Sequence, residues 1–495
     1  MSTPQRRNAS QRKSATVVQL PGTKSAPKSK VWPAPSEPMK VARTFVARFE
    51  PKTPLRYMDG EWLGYNHKGF WKSLPDRTIR DQLYKRLEHA VYYAANETKP
   101  WNPNNRKIND VLDALKTVAA SEQRPNDEGW FNGRTDHVIP CANGLLNIAT
   151  RTLEPLTPDF FNRYVLTCPY DANASSAPWD RYTHENLADD AETISALQEW
   201  GGYVVSGRKD YQRFLLMVGQ SRSGKGTYIE VLNAFLPSES HIGFKATDYL
   251  RDRFSDSNMI GKTLITVSDS RSKLDDGRFV EMILRLVGND EFSIRKPYGR
   301  DYFNGVLPGR LVILSNKVPV MPDDSQAVLG RALVVKMNKS YVNREDPGLI
   351  RSLVSPESLS GILNHFLDGL DALRSRGKFH QPSDGDDIKA LLSENSSPVR
   401  HFVSERCEIG DWWAPKQDVY FQYSQFCTQY GYRVDDYSHF ATALYAATNQ
   451  AVKGGKRTKD KIQGAQTQVP AFVGLRLLSA AGWAPMTAQT GRNPP

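Results

Sequence analysis

The chain has 495 residues, 39% of them hydrophobic and 10% aromatic, which is too long for one ordinary core and apolar enough for two to four. No apolar run approaches the roughly 18 residues that span a bilayer, no secretory leader is visible, and Cys141, Cys168, Cys407 and Cys427 lack the spacing of a metal site or disulfide framework. A cytoplasmic protein with free thiols and no membrane partner is therefore expected. The formal net charge is +11, but it is concentrated. Between Met1 and Thr44 stand Arg6, Arg7, Arg12, Lys13, Lys24, Lys28, Lys30, Lys40 and Arg43 against Glu37 alone.

Residues 1–44, rich in Ser, Pro and Lys, read as a disordered basic tail able to hold nucleic acid electrostatically, with folding expected from near Val41. Residues 45–177 predict a mixed α+β domain. Its strand candidates are RYMDGEWLGY and GFWKSL, its helices IRDQLYKRLEHAVYYAA and INDVLDALKTVAA, and Gly and Pro punctuate the short apolar runs that follow. Residues 178–380 predict an α/β domain: the helix ETISALQEWGGYVVSG, alternating apolar strands and helices as a parallel sheet requires, then the helix GILNHFLDGLDALRSRG. The stretch QPSDGDD reads as a linker. Residues 390–478 predict three helices (SPVRHFVSER, VYFQYSQFCTQYG, DYSHFATALYAATN), a basic ribbon KGGKRTKDKIQG and the strand AFVGLRLL, and 479–495 a loose tail.

The most specific stretch is FLLMVGQSRSGKGT, Phe214–Thr227. An apolar strand gives way to Gly219, Gln220, Ser221, Arg222, Ser223, Gly224, Lys225, Gly226 and Thr227, and the helix-compatible YIEVLNAFL follows. Loop N–H groups and the helix dipole favour an anion there, and a lysine at this place reaches the outer phosphates of a nucleotide. The expected ligands are ATP and Mg²⁺. Hydrolysis needs three further parts: an acidic group for metal or water, a polar sensor at the γ-phosphate, and a cation for the transition state. TLITV, Thr263–Val267, ends in Ser268-Asp269-Ser270, which places Asp269 as the acid at a strand end. Leu311–Leu314 ends in Ser315-Asn316, making Asn316 the sensor candidate. Gly330-Arg331 opens the apolar run ALVV.

The set Gly219–Thr227, TLITVSD, VGNDEFSIRKPYGR, RLVILSNKVPVMPD and GRALVV, in that order, resembles the superfamily 3 helicases of the phage and plasmid primase type, which are AAA+ proteins. RYMDGEW, ANGLLNIATRTLEPLTPDFF, LQEWGGYVVSG and SYVNREDPGL extend the resemblance over about residues 50–480. It implies an AAA+ P-loop core between a mixed α+β N-terminal domain and a C-terminal winged-helix-like domain. Carried over by position, Lys225 binds the β/γ-phosphates, Thr227 and Asp269 serve Mg²⁺, Asn316 is the sensor and Arg331 is a finger inserted into a neighbour's site. That last role implies a closed ring, a hexamer by family expectation. Two positions depart from the pattern. Gly226 occupies the place of the usual Ser or Thr, with the hydroxyl displaced to Thr227. Asp269 stands without a second carboxylate, so it is either the metal ligand or the general base.

GNDEFSIRKPYGRDYFNGVLPGR alternates as a hairpin does, and in the resembling helicases a hairpin here enters the ring channel. Arg295, Lys296 and Arg300 are its DNA-contact candidates. In the last domain Lys453, Lys456, Arg457, Lys459 and Lys461 fall on or beside a wing suited to duplex phosphate. The function implied is a replicative DNA helicase of a phage or mobile element, acting 3′ to 5′ on single-stranded and forked DNA in a bacterial cytoplasm. Primer synthesis is expected from a separate primase or polymerase. Two rivals stand: a non-unwinding assembly ATPase that binds an origin, and a small-molecule phosphotransferase suggested by GKGT.

Overall fold

The structure, a computed structural model, describes residues 31–48, 54–94, 97–120, 124–188, 190–251, 255–268, 277–295, 302–319, 327–430, 432, 434–459 and 467–478. The chain divides into two compact units: residues 1–140 with 153–165, and 141–152 with 166–495.

In the first unit, order is present by Val31, upstream of the expected boundary. Trp32 is buried, its N–H donates to Val91 O at 2.8 Å, and the helix Pro38–Arg48 runs through the expected end of the tail. Burial of the Trp32 indole, with Val41, Ala42 and Phe45 on one helix face, supplies apolar area that a Ser/Pro/Lys composition hides. Three antiparallel strands follow, Leu55–Met58, Glu61–Tyr65 and Trp71–Leu74, the first pair joined through Asp59 and Gly60 at φ 54° and 76°. The helix predicted over IRDQLYKRLEHAVYYAA stops at Leu87. Val91–Ala94 instead pairs with Glu97–Pro100, as β-branched and aromatic residues favour. Asn105–Val118 is helical, capped by the Asn104 side chain on the Lys107 N–H at 3.0 Å.

In the second unit, residues 166–495 begin their regular structure with α1 (Ala177–Leu187) and α2 (Ala191–Val205). Then come β1 (Phe214–Gly219), α3 (Lys225–Phe235), β2 (His241–Lys245), β3 (Leu264–Ser268) and α4 (Gly277–Gly288). The hairpin β4 (Glu291–Arg295) and β5 (Tyr302–Val306) precedes β6 (Arg310–Ser315), α5 (Ala327–Arg331) and β7 (Ala332–Met337). Strands β2, β3, β6, β1 and β7 form, in that order, one all-parallel sheet. The nearly continuous apolar sequences of β1, β3, β6 and β7 reflect burial on both faces, whereas β2, HIGFK, is the partly exposed edge strand.

The helix α6 (Pro356–Arg376) packs closely on α2, and glycine makes the approach possible. A Cβ on Gly202 would lie 2.2 Å from Phe366 O, and one on Gly369 2.4 Å from Gln198 C. The expected linker QPSDGDD is not one: Ser383–Ser396 is helical, α7, with Asp384 and Asp386 in its first turn where the dipole favours acids. Ahead of it Gln381 covers the sheet edge, its amide accepting from Val334 N at 3.1 Å and donating to Val334 O at 2.7 Å.

The chain continues with α8 (Pro398–Arg406), β8 (Cys407–Pro415), α9 (Lys416–Tyr430), α10 (Tyr437–Ala447), β9 (Lys453–Lys459) and β10 (Thr467–Leu477), the strands antiparallel in the order β8–β10–β9. The three helices fall where the sequence places them; β8 was not anticipated. Among the described residues no helix is long and apolar enough to cross a membrane.

Candidate functional site

The glycine-bounded loop joins β1 to α3, as its sequence predicts. Gly219 ends β1 where that strand abuts β7. A Cβ there would stand 2.6 Å from Met337 O and 3.0 Å from Ser223 Oγ, so the position accepts only glycine. Arg222 at φ 58° and Gly224 at φ 89° turn the loop back so that Lys225 begins the helix. Gly226 has open space where a Cβ would be, so the missing Ser or Thr side chain is not excluded sterically. Thr227 follows on the first turn.

Lys225 is buried and folds back on its own loop. Its Nζ donates to Gly219 O at 2.6 Å, Gln220 O at 2.7 Å and Ser223 Oγ at 3.1 Å. Burial lowers its pKa below the ordinary lysine value. Two segments flank the loop that sequence reasoning did not assign to the site. From α1, the Tyr182 hydroxyl donates to Gly224 O at 3.3 Å, and Asn186 Oδ1 lies 3.3 Å from where a Gly224 Cβ would be. Beyond β7, Ser340 Oγ donates to Ser221 O and Tyr341 N to Arg222 O, both at 2.9 Å, while Arg222 pairs with Glu345 at 3.3 Å. The signal was SYVNRED, whose register past β7 becomes a contact only because β7 lies beside β1.

The strand order decides which candidates meet. Ser315 of β6 pairs with Val218 of β1, so Asn316, the next residue, is level with Gly219. In β3, Val267 pairs with Ile313, and Ser268 ends the strand at the same edge. Asp269 itself lies outside the described residues, as do Lys296, Arg300 and Lys461. Arg331 is not with the others. It ends α5, its guanidinium donating to Ala327 O at 3.1 Å, and Ala332 after it pairs with Phe214 at the opposite end of β1. Five strand steps of about 3.3 Å, or roughly 17 Å, separate that end from Gly219.

The predicted hairpin forms, with Arg295 paired to Tyr302 and exposed, while Phe292 and Ile294 enter the core. Lys453, Lys456 and Arg457 are exposed along β9, and none makes an ion pair among the described residues; Lys459 is the last residue of the strand. Among those residues no group of three His, Cys, Asp or Glu side chains could hold a metal ion. Mg²⁺ at a phosphate loop needs no such cage, since substrate phosphates and water supply most of its oxygens. The Thr227 hydroxyl on the first turn of α3 fits that limited demand.

Two families match stretches of the chain: "D5 N terminal like" over residues 42–187, and a family of unknown function, DUF5906, over residues 217–331. The second stretch begins inside β1 and ends on Arg331. Both families are typical of phage and plasmid primase-helicase proteins. Two solved structures of the NrS-1 C-terminal region, both apo, share the fold. One matches with TM-score 0.54 at 9% identity over 88% of this chain and 99% of its own, the other with 0.50 at 10% over 91% and 100%. No curated protein sequence matches. The chain is thus a mixed α/β protein with a parallel sheet, with the fold of the NrS-1 C-terminal region.

Proposed function

We propose that the chain is an ATP-dependent replicative DNA helicase of a phage or mobile element, an AAA+ motor of the superfamily 3 kind working as a ring, a hexamer by resemblance. The observation that carries the reading is the position of β1 between β6 and β7. It sets Asn316 beside the phosphate loop and Arg331 at the far end of the sheet. A cation so placed is out of reach of its own loop, which suits a finger that acts on the next subunit.

In this reading the loop N–H groups and the α3 dipole hold the phosphates of ATP, and Lys225 exchanges its loop carbonyls for β/γ-oxygens. Bound Mg²⁺ supplies charge neutralisation, with Thr227 and Asp269 as its protein partners. Asn316 orients the attacking water, and Arg331 of one subunit faces the γ-phosphate held by another, so hydrolysis is positioning plus electrostatics. The β4–β5 hairpin, with Arg295, Lys296 and Arg300, grips single-stranded DNA without regard to base. The order helix, strand, helix, helix, strand, strand over residues 398–477 supports a winged helix whose wing, Lys453 to Lys459, holds duplex phosphate. Polarity of 3′ to 5′ and a partner primase or polymerase belong to the same reading.

The test is strand displacement on forked DNA with ATP, comparing wild type with Lys225→Ala. DNA-stimulated hydrolysis and unwinding, both lost in the variant, are expected. Hydrolysis indifferent to DNA, with no strand displaced by wild type, would end the motor reading in favour of an assembly ATPase.

A further inference from the structure

At the end of the sheet away from the phosphate loop lies a cavity of about 370 Å³ between the start of β7, the turn after α6 and one face of α7. Arg213, Arg376, Lys378, His380 and Lys389 line it. Three carboxylates bear on this cluster, one of them Glu192, which faces His380 while it accepts from Ser383. Glu199, wholly buried, is fully engaged: it accepts from both Arg376 Nη atoms at 2.9 Å, from His380 N at 2.8 Å and from Ser195 Oγ at 3.1 Å. Asp386 stands one turn before Lys389 on α7 and offsets it in part. Arg213 donates to Gly330 O, and Arg213, Lys378 and Lys389 make no ion pair among the described residues. Burial pushes both Arg213 and Lys389 below their ordinary pKa values; Lys389 is pushed further by Arg213, and Arg213 by Arg331.

Cations brought together and partly dehydrated in one concavity are unfavourable unless an anion joins them. A single carboxylate would leave most of the charge uncompensated, whereas a di- or triphosphate answers several cations at once and suits planar guanidinium donors. Glu199 adds a built feature, because it fixes Arg376 and the backbone at His380 before any ligand arrives. We propose that this cavity is a second anion site, separate from the phosphate loop, which takes a di- or triphosphate group. The group comes either free in solution or carried on a nucleotide held by a second copy of the chain.

Lys225→Ala, which disables the phosphate loop, is titrated with pyrophosphate by calorimetry, alone and combined with Lys389→Gln. Saturable binding of one pyrophosphate per chain, weakened about tenfold or more by Lys389→Gln, identifies the free source. Sedimentation of the otherwise wild-type chain with a non-hydrolysable ATP analogue gives the second arm. Nucleotide-dependent association weakened at least as much by Lys389→Gln identifies the carried source. Sulfate-dependent melting of the Lys389→Gln variant shows that it remains folded. If Lys389→Gln melts cooperatively and changes neither measurement, the proposal is wrong. The use of Lys225→Ala keeps this outcome apart from any failure of the motor reading.

Discussion

Arg331 and Gly219 stand at opposite ends of one strand pair: Arg331 precedes Ala332, which pairs with Phe214, while Gly219 pairs with Met337. A guanidinium on a side chain of ordinary reach cannot bridge roughly 17 Å to its own loop. Arg331→Ala should therefore leave nucleotide affinity of the isolated chain within about twofold and lower the turnover of the assembly by on the order of 10³. Mixing Arg331→Ala with Lys225→Ala should restore part of the hydrolysis, since mixed interfaces reunite an intact loop with an intact finger. Mixtures as inactive as either variant would place Arg331 outside catalysis.

Gly226 and Thr227 offer a comparison within one helical turn. Space is open at Gly226, and glycine inside a helix costs about 1 kcal/mol relative to alanine. Gly226→Ala is expected to raise the melting temperature and keep nucleotide binding. Thr227→Val, nearly isosteric but without the hydroxyl, should raise the Mg²⁺ concentration needed for half-maximal hydrolysis.

Glu199 is buried and accepts four hydrogen bonds, two of them from Arg376, whose side chain is a third exposed. Glu199→Ala should cost roughly 3 kcal/mol in urea unfolding, the low end for a broken buried pair because Arg376 can reach water. Adding Arg376→Ala should cost less than the sum of the single changes.

At Gly202 even a methyl group meets the Phe366 carbonyl. Gly202→Ala should destabilise the second unit by about 1–3 kcal/mol, through displaced helices and not through lost apolar area. Wild-type stability in that variant would mean that α2 and α6 slide freely.

Lys209 is held by Leu307 O, and burial, with Arg310 nearby, pushes its pKa down to about 8 from 10.5. Between these values the unfolded chain binds a proton that the folded chain does not, so stability rises with pH across that window. Relative to Lys209→Met, the wild type should gain about 2 kcal/mol from pH 8 to 10.5, a figure reduced for the partial exposure of the group. A difference between the two proteins that stays flat with pH would show that the ammonium is solvated in the fold.

Much of the site was legible because its parts are contiguous. The run Phe214–Thr227 contains strand, turn and helix start, and each follows from local rules: an apolar run, left-handed glycine, and a helix-forming segment. The errors came where local composition and long-range packing disagree. Trp32 sits in a stretch whose composition is that of a basic tail, yet it is buried and bonded to Val91, and Ser383–Ser396 carries an acidic first turn that resembles a solvated linker. Val91–Ala94 reads locally as the end of a helix, since a short apolar run fits either period.

By itself the sequence determined the glycine-bounded loop between strand and helix, the hairpin, the three C-terminal helices and the chemical type of each candidate group, because backbone preferences act between near neighbours. Tertiary structure alone decided that Asn316 lies beside Gly219, that Arg331 lies far from it, and that Arg213 and Lys389 share a cavity. Those relations depend on which strands pair and which helix covers the sheet edge. Such choices are set by burial summed over residues about a hundred positions apart or more, and no window of sequence contains them.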